Sequence, residues 1–181
     1  MNDCRNGVSE AKKWTVRYGV IDAARSYFRL GMVRLLAATT QCLFAGEKGN
    51  RLDDVAPHLF QYDVSGQVAE LIVGPGKDND CGILFDSTVG FEVVRRHFRR
   101  FLVVRRARDM KKVLFRFYDP RVLRAFLPAC TDAELSEFFG PIAAFHCEGD
   151  DPGTVQTYAM EGGMLRVKER DWKTFNGQQF Q

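Results

Sequence analysis

The chain has 181 residues, of which 45% are hydrophobic and 27% are charged, a composition typical of one packed globular domain with at most a small appendage. The formal net charge of +3 is too small to indicate nucleic-acid binding by itself. No apolar run approaches the roughly 20 residues that span a bilayer, and the polar start of the chain lacks the apolar core of a secretory signal. We therefore expect a soluble, cytoplasmic protein.

The sequence divides into three parts by composition. Residues 1–13 form a polar N-terminal segment, residues 14–170 carry the apolar periodicities of a folded α/β domain, and residues 171–181 form a polar C-terminal tail. The composition after Asp171 is typical of a disordered tail. The five cysteines, at positions 4, 42, 81, 130 and 147, lack a C-x-x-C pair, so we expect reduced thiols rather than disulfides or a zinc site.

The first half of the domain alternates strand and helix patterns. Residues 14–22 alternate apolar and polar side chains, which predicts a strand that ends at Asp22. From Ser26, apolar residues recur at i, i+4, i+7 and i+8, which predicts an amphipathic helix with this stripe as its apolar face. The stripe consists of Phe28, Met32, Leu35 and Leu36. The patterns that follow predict strands at residues 41–45, 58–62 and 81–85, a short helix at 65–73 and a turn-rich loop at 74–80.

The next segment predicts a helix and a strand. Residues 91–101 carry apolar side chains at helical spacing, with His97 at the edge of that stripe. The candidate caps of this helix are Asp86, Ser87 and Thr88. Residues 111–118 then predict a strand buried on at least one face.

The last segment predicts a helix and a hairpin. Thr131 and Glu134 have the spacing of a capping box, so a helix begins there and ends at Gly140. Strands are predicted at residues 142–147 and 154–167, the latter as a hairpin around Gly162. Strands and helices alternate through most of the chain, which predicts an α/β (α+β) fold: a single domain with a mixed β-sheet packed by helices.

The most informative stretch is FRFYDPRVL, which combines the end of a strand, a sharp corner and the start of a helix. Asp119 is suited to accept hydrogen bonds from the first backbone N–H groups of that helix. Pro120 suits the first helical position, where its missing N–H costs nothing. We therefore interpret Asp119 as a structural cap and as the ion-pair partner of Arg116 or Arg121.

Signatures of catalysis are weak in this sequence. The GPGK stretch at residues 74–77 lacks the spacing of a phosphate-binding loop, no G-x-S-x-G occurs, and the three histidines show no metal-ligand spacing. Asp22 and Asp119 both end predicted strands, so an acid pair is the catalytic alternative, although a cap or an ion pair explains each. We predict no catalytic residue, no metal and no cofactor.

Basic side chains concentrate in one segment. From Arg95 to Arg116 ten basic residues are opposed only by Asp109, whereas residues 131–153 contain six acids and no Lys or Arg. This segregation predicts a surface that attracts an acidic partner, or two segments that face each other or are solvated. The candidate partner-binding residues, on the solvent side of the predicted helix, are Arg95, Arg96, Arg99 and Arg100.

Six short motifs occur in an order that resembles one bacterial family. They are YGVIDAA at 18–24, LFAG at 43–46, APHL at 56–59, HFRRF at 97–101, FRFYDPRVL at 115–123 and FFGP at 138–141. Over residues 16–146 the chain resembles the effector adaptors, or effector chaperones, of the type VI secretion system, catalogued as DUF4123.

The resemblance implies a non-catalytic protein of the bacterial cytoplasm that binds a cognate secreted effector and helps load it onto the valine-glycine repeat spike protein. It carries over no catalytic residue or cofactor, and we expect neither a membrane nor a nucleic acid as partner. The alternative is a small cytoplasmic enzyme or a nucleic-acid-binding module. Either would use the corner formed by Asp22, Arg116 and Asp119, or the basic segment from Arg95 to Arg116.

Overall fold

A computed structural model describes residues 16–44, 46–62, 66–75, 80–106 and 108–178. Its strands are β1 (Val16–Asp22), β2 (Thr39–Cys42), β3 (Pro57–Tyr62), β4 (Gly82–Ser87), β5 (Val103–Arg105), β6 (Lys112–Leu114), β7 (Ile142–Glu148), β8 (Thr154–Glu161) and β9 (Met164–Asp171). Its helices are α1 (Tyr27–Leu36), α2 (Gly46–Arg51), α3 (Gln67–Val73), α4 (Phe91–Arg99), α5 (Pro120–Phe126), α6 (Asp132–Phe139) and α7 (Trp172–Gln178). The predicted polar segment 1–13, the strand start at Trp14 and the loop residues 76–79 lie outside the described residues.

Seven strands form one sheet in the order β2-β3-β1-β4-β7-β8-β9, and β5 pairs with β6 in a separate two-stranded sheet. Every neighbouring pair in both sheets is antiparallel. The predicted single α/β domain is confirmed. The predicted mixture of parallel and antiparallel strands is not found in the described sheets. A fully antiparallel sheet with helices packed on it is an α+β fold.

Helices α4, α5 and α6 pack on one face of the large sheet. Phe98 of α4 lies at the centre of this layer, where its ring stacks on Phe117 and meets the edge of Phe85, with 4.9 Å between centroids in both pairs. Aromatic pairs of this geometry contribute about 0.5–1.5 kcal/mol beyond the burial of their area. The predicted apolar stripe of α4 is confirmed, since Val94 and Phe98 are fully buried.

Helices α1, α3 and α7 pack on the opposite face. Phe60 of β3 lies over Gly19 of β1, where a Cβ atom would come within 2.2 Å of the ring, so only glycine fits beneath it. Helix α7 contributes Trp172 and Phe175, which are 8% and 4% exposed. The prediction of a disordered tail after Asp171 is therefore wrong for residues 172–178, because burial of two aromatic side chains outweighs the polar composition of that segment.

Local hydrogen bonds explain where the helices begin. The predicted caps are confirmed at Asp119 and Thr131, and the capping box between Thr131 and Glu134 is formed in both directions. Ser26 also caps α1, by accepting from the N–H of Arg29. The predicted cap of α4 is wrong, because that helix begins after Gly90. Ser87 instead donates its hydroxyl to the carbonyl of the residue that precedes β7, at 2.8 Å.

Two further predictions are corrected. The strand expected at residues 111–118 shortens to β6, which ends at Leu114. The chain turns there instead, with the N–H of Asp119 donating to the carbonyl of Arg116 at 2.9 Å. Helix α2 also forms in the polar stretch between β2 and β3, for which the sequence analysis predicted no helix.

Candidate functional site

The corner at the start of α5 holds Asp119 as an ionised acceptor. Its Oδ1 accepts from the backbone N–H of Arg121 at 3.1 Å and from Nε of the same residue at 3.0 Å, and its Oδ2 accepts from the guanidinium at 2.7 Å. Burial alone would raise the pKa of Asp119, but these hydrogen bonds outweigh it and hold the pKa below its usual range. A general acid needs a raised pKa, so the geometry favours the structural interpretation of Asp119.

The same corner joins α5 to β1. Asp22, which ends β1, is only 2% exposed and pairs with Arg116, a contact that the sequence did not reveal. It also accepts from the N–H of Ala24 at 3.1 Å. Arg121 in turn lies 3.3 Å from Asp80 in the segment before β4. These ion pairs connect β1, the segment before β4 and α5, so the corner acts as a structural junction.

The four arginines predicted to bind a partner differ in their environments. Arg95 donates to the carbonyl of Cys42 from Nε at 3.2 Å and from the guanidinium terminus at 3.0 Å, and so connects α4 to β2. Arg100 donates to Nδ1 of His97 at 3.3 Å. Arg96, Arg99 and Arg100 are all exposed. The basic surface that faces solvent at α4 and its end therefore comprises Arg96, Arg99 and Arg100, whereas Arg95 is turned toward β2.

Three potential metal ligands converge near the end of β2, although their sequence spacing did not predict it. The ligand atoms of Cys42, Asp53 and His58 lie within 4.8 Å of one another. Arg34 enters this group, with its guanidinium 2.6 Å from Asp53 Oδ2 and 3.2 Å from His58 Nε2. Burial raises the pKa of the Cys42 thiol, and the Arg34 guanidinium already lies beside the Asp53 carboxylate, where a bound cation would be placed. The group therefore acts as a charge-balanced contact between α1 and β3.

The outer surface of α1 is apolar, which reverses the predicted orientation of this helix. Leu30 and Val33 are fully buried against the sheet, whereas Phe28 and Leu35 of the predicted stripe are 77% and 80% exposed. We call the outward-facing group the α1 surface; it consists of Tyr27, Phe28, Gly31, Met32, Leu35 and Leu36. A helix that is apolar on both faces leaves one face for another molecule.

A groove between α1 and α3 continues this surface. It encloses about 530 Å³ and is named the α1–α3 groove. Its lining residues are Arg29, Met32, Leu36, Gln67, Glu70, Leu71 and Pro75. Gly31 borders open space, since a Cβ atom built on it would meet nothing within 4 Å. The α1 surface and the α1–α3 groove together form the strongest candidate docking site.

A second cavity, of about 310 Å³, lies over the sheet beside Phe175 of α7. Polar and charged side chains line it: His146 Nε2 lies 3.2 Å from Asp86, Lys168 lies 3.3 Å from Glu161, and Arg17, Arg166 and Arg170 complete the basic side. Because this lining is mainly charged and polar, the cavity suits an apolar protein segment less well than the α1 surface does.

The fold is a single antiparallel α+β domain, and a comparison with known families shows which family the domain belongs to. The model of the DUF4123 family, described as a domain of unknown function, matches residues 17–137. The match spans well over half of the chain and runs from β1 into α6, so this protein belongs to the DUF4123 family. Neither the curated proteins nor the solved structures contain a match to the chain. In the part of the chain that the structure describes, each helix is too short or too polar to cross a bilayer.

Proposed function

We propose that this protein is a non-catalytic adaptor of the bacterial cytoplasm that binds a cognate type VI secretion effector and helps load it onto the valine-glycine repeat spike protein. The α1 surface is the observation that carries the proposal. Phe28 and Leu35 expose 77% and 80% of their surface on one helix, and exposed apolar groups of this kind mark protein interaction sites. Membership of the DUF4123 family and the six ordered motifs support the choice of this class of partner.

The pKa shifts of Asp119 at the corner and of Cys147 in β7 also favour binding over catalysis. Hydrogen bonds hold the pKa of Asp119 below its usual range despite its burial, and burial raises the pKa of Cys147 to about 12. Neither group is tuned toward neutral pH, as a general acid, base or nucleophile would be. Turnover assays test the first alternative, a small enzyme, and gel-shift assays test the second, a nucleic-acid-binding module.

A secretion assay in the native host tests the proposal. Deletion of the gene should abolish release of one effector into the medium and leave release of the other effectors unchanged. The double variant Phe28→Gln and Leu35→Gln should reproduce that loss, because glutamine preserves helix propensity but removes the apolar surface. A deletion strain that releases every effector at the wild-type level would refute the adaptor function.

Two controls make the assay specific. Val103 and Leu114 are cross-strand neighbours on the β5–β6 hairpin and are 45% and 47% exposed. Their replacement by threonine removes exposed apolar surface of a similar kind elsewhere, and secretion should persist. A gel shift of DNA or RNA by the purified protein, abolished by Arg96→Glu and Arg99→Glu, would support the nucleic-acid-binding alternative instead.

A further inference from the structure

We propose that the α1–α3 groove binds a single amphipathic α-helix of the partner protein. The apolar face of that helix packs on α1, and its acidic residues lie along the edge next to Arg25 and Arg29. This inference rests on the proposed function, since it specifies which element of the partner the adaptor grips. It is carried by three features of the described residues: the spacing of the exposed side chains, the gap at Gly31 and the charges beside the groove.

The exposed side chains of α1 form two ridges with a gap between them. Phe28 and Leu35 are seven residues apart, which places them on nearly the same side of the helix, about 10.5 Å apart along its axis. Gly31 lies between them and faces open space. Helices pack by inserting the side chains of one into the gaps of the other, and the gap at Gly31 offers room for one large apolar side chain.

The backbone of α1 restricts the kind of occupant. A partner strand would pair with free donors and acceptors at a sheet edge, whereas the interior backbone groups of α1 are used within the helix. The surface therefore offers side-chain contacts, which suit a helix with apolar anchors at i, i+3 or i+4, and i+7. Because α1 has 10 residues, it is about 15 Å long and accommodates roughly three turns of a partner helix.

Charges beside the groove determine the polar rim of that helix. Residues 23–46 contain no Asp or Glu, and of their three arginines Arg34 is already paired with Asp53. Arg25 is exposed at the start of α1, and Arg29 lines the groove. Glu70 lies on the opposite wall, so the preference for acidic partner residues is confined to the α1 side. Acidic residues there would also be favoured by the positive end of the α1 helix dipole.

Synthetic peptides of about 18 residues, long enough to form a helix, test the chemistry of the occupant with the full chain. The first peptide carries leucines at i, i+3, i+4 and i+7 flanked by glutamates; the second carries lysines in place of the glutamates; the third is the first with a central proline. By fluorescence anisotropy at low salt, we expect the glutamate peptide to bind at least about tenfold more tightly than either of the others.

The variant Gly31→Leu tests the position. Because a side chain at residue 31 meets open space and leucine is a better helix former than glycine, the unfolding temperature should equal or exceed that of the wild type. Affinity for the glutamate peptide should nevertheless fall by at least about tenfold, since the gap is filled. Ala133→Leu, at an exposed position of α6, adds the same side chain elsewhere and should leave the affinity unchanged.

Several results would overturn the inference. One is equal affinity for the glutamate and lysine peptides, and another is an affinity of Gly31→Leu for the glutamate peptide that equals that of the wild type. A third is peptide binding that is seen only after removal of residues 1–13, which would assign the groove to that segment. A dimer of the wild type that Gly31→Leu dissociates would assign the surface to a second copy of the chain. The proposed function fails separately, if the deletion strain still secretes its effectors while the peptide preferences hold.

Discussion

At the scale of one residue, the variant Asp119→Ala tests whether the corner is structural. Asp119→Ala removes the cap of α5 and leaves Arg121 without its closest carboxylate, so the free energy of unfolding in urea should fall by about 1–3 kcal/mol. Partner binding should decline only as the fold is lost. A variant that unfolds at the wild-type temperature yet has lost all binding would make the corner a binding site.

His97 predicts a dependence of stability on pH. This residue is 7% exposed, its Nε2 donates to the carbonyl of Phe138 at 2.8 Å, and its Nδ1 accepts from Arg100. Burial lowers its pKa, Arg100 adds to that effect, and the charge of Glu137 opposes it. Because the unfolded chain then binds more protons below a pH of about 6.5, the free energy of unfolding should decrease as the pH falls from about 7 to about 5.

The variant His97→Gln isolates this effect. Its amide can donate to the same carbonyl but does not titrate, so its unfolding free energy should decrease less than that of the wild type over the same pH range. Asp119 titrates separately: its lowered pKa contributes stability that is lost only as the pH falls below about 4. Parallel profiles of wild type and variant between pH 7 and 5 would show that His97 is not responsible.

At the scale of an element, α4 makes two separable predictions. Reversal of Arg96 and Arg99 to Glu should slow association with an acidic partner and weaken its salt dependence, while the circular dichroism spectrum stays unchanged. Reversal of Arg95 should instead lower the unfolding temperature, because it breaks two hydrogen bonds to the carbonyl of Cys42. Association rates with the effector and with the spike protein, measured at about 50 and 500 mM salt, test the first prediction. Thermal unfolding tests the second. Unaltered rates toward both would exclude α4 as an interface.

The elements also show how much could be predicted from the sequence. Caps at Asp119 and Thr131 were predictable because each depends on residues within three positions along the chain. The orientation of α1 was not, since Leu30 and Val33 belong to a second apolar stripe and the sheet decides which stripe is buried. That ambiguity concealed the candidate docking surface, whose only sequence signal was apolar residues on both faces of one helix.

At the scale of the whole molecule, we predict that the purified protein has no intrinsic hydrolase, transferase or metal-dependent activity. The reason is that the sequence carries none of the usual nucleophile-elbow, metal-ligand or phosphate-loop spacings, and that hydrogen bonds lower the pKa of Asp119 while burial raises that of Cys42. Assays with esters, phosphoesters and peptides, with and without divalent metals, should give the background rate. Reproducible turnover that Asp22→Asn or Asp119→Asn abolishes would contradict this and restore the enzymatic alternative.

The order of strands in the sheet bears on how the protein is synthesised. Strands β2, β3, β1 and β4 lie side by side and all come from the first 87 residues, so half of the sheet can form while the rest is still on the ribosome. Strand β7 ends at residue 148, and at translation rates of 5–20 residues per second it follows β4 by roughly 3 to 12 s. During that interval the edge of β4 is open to pairing with other nascent chains, so the interval is a period of risk for aggregation.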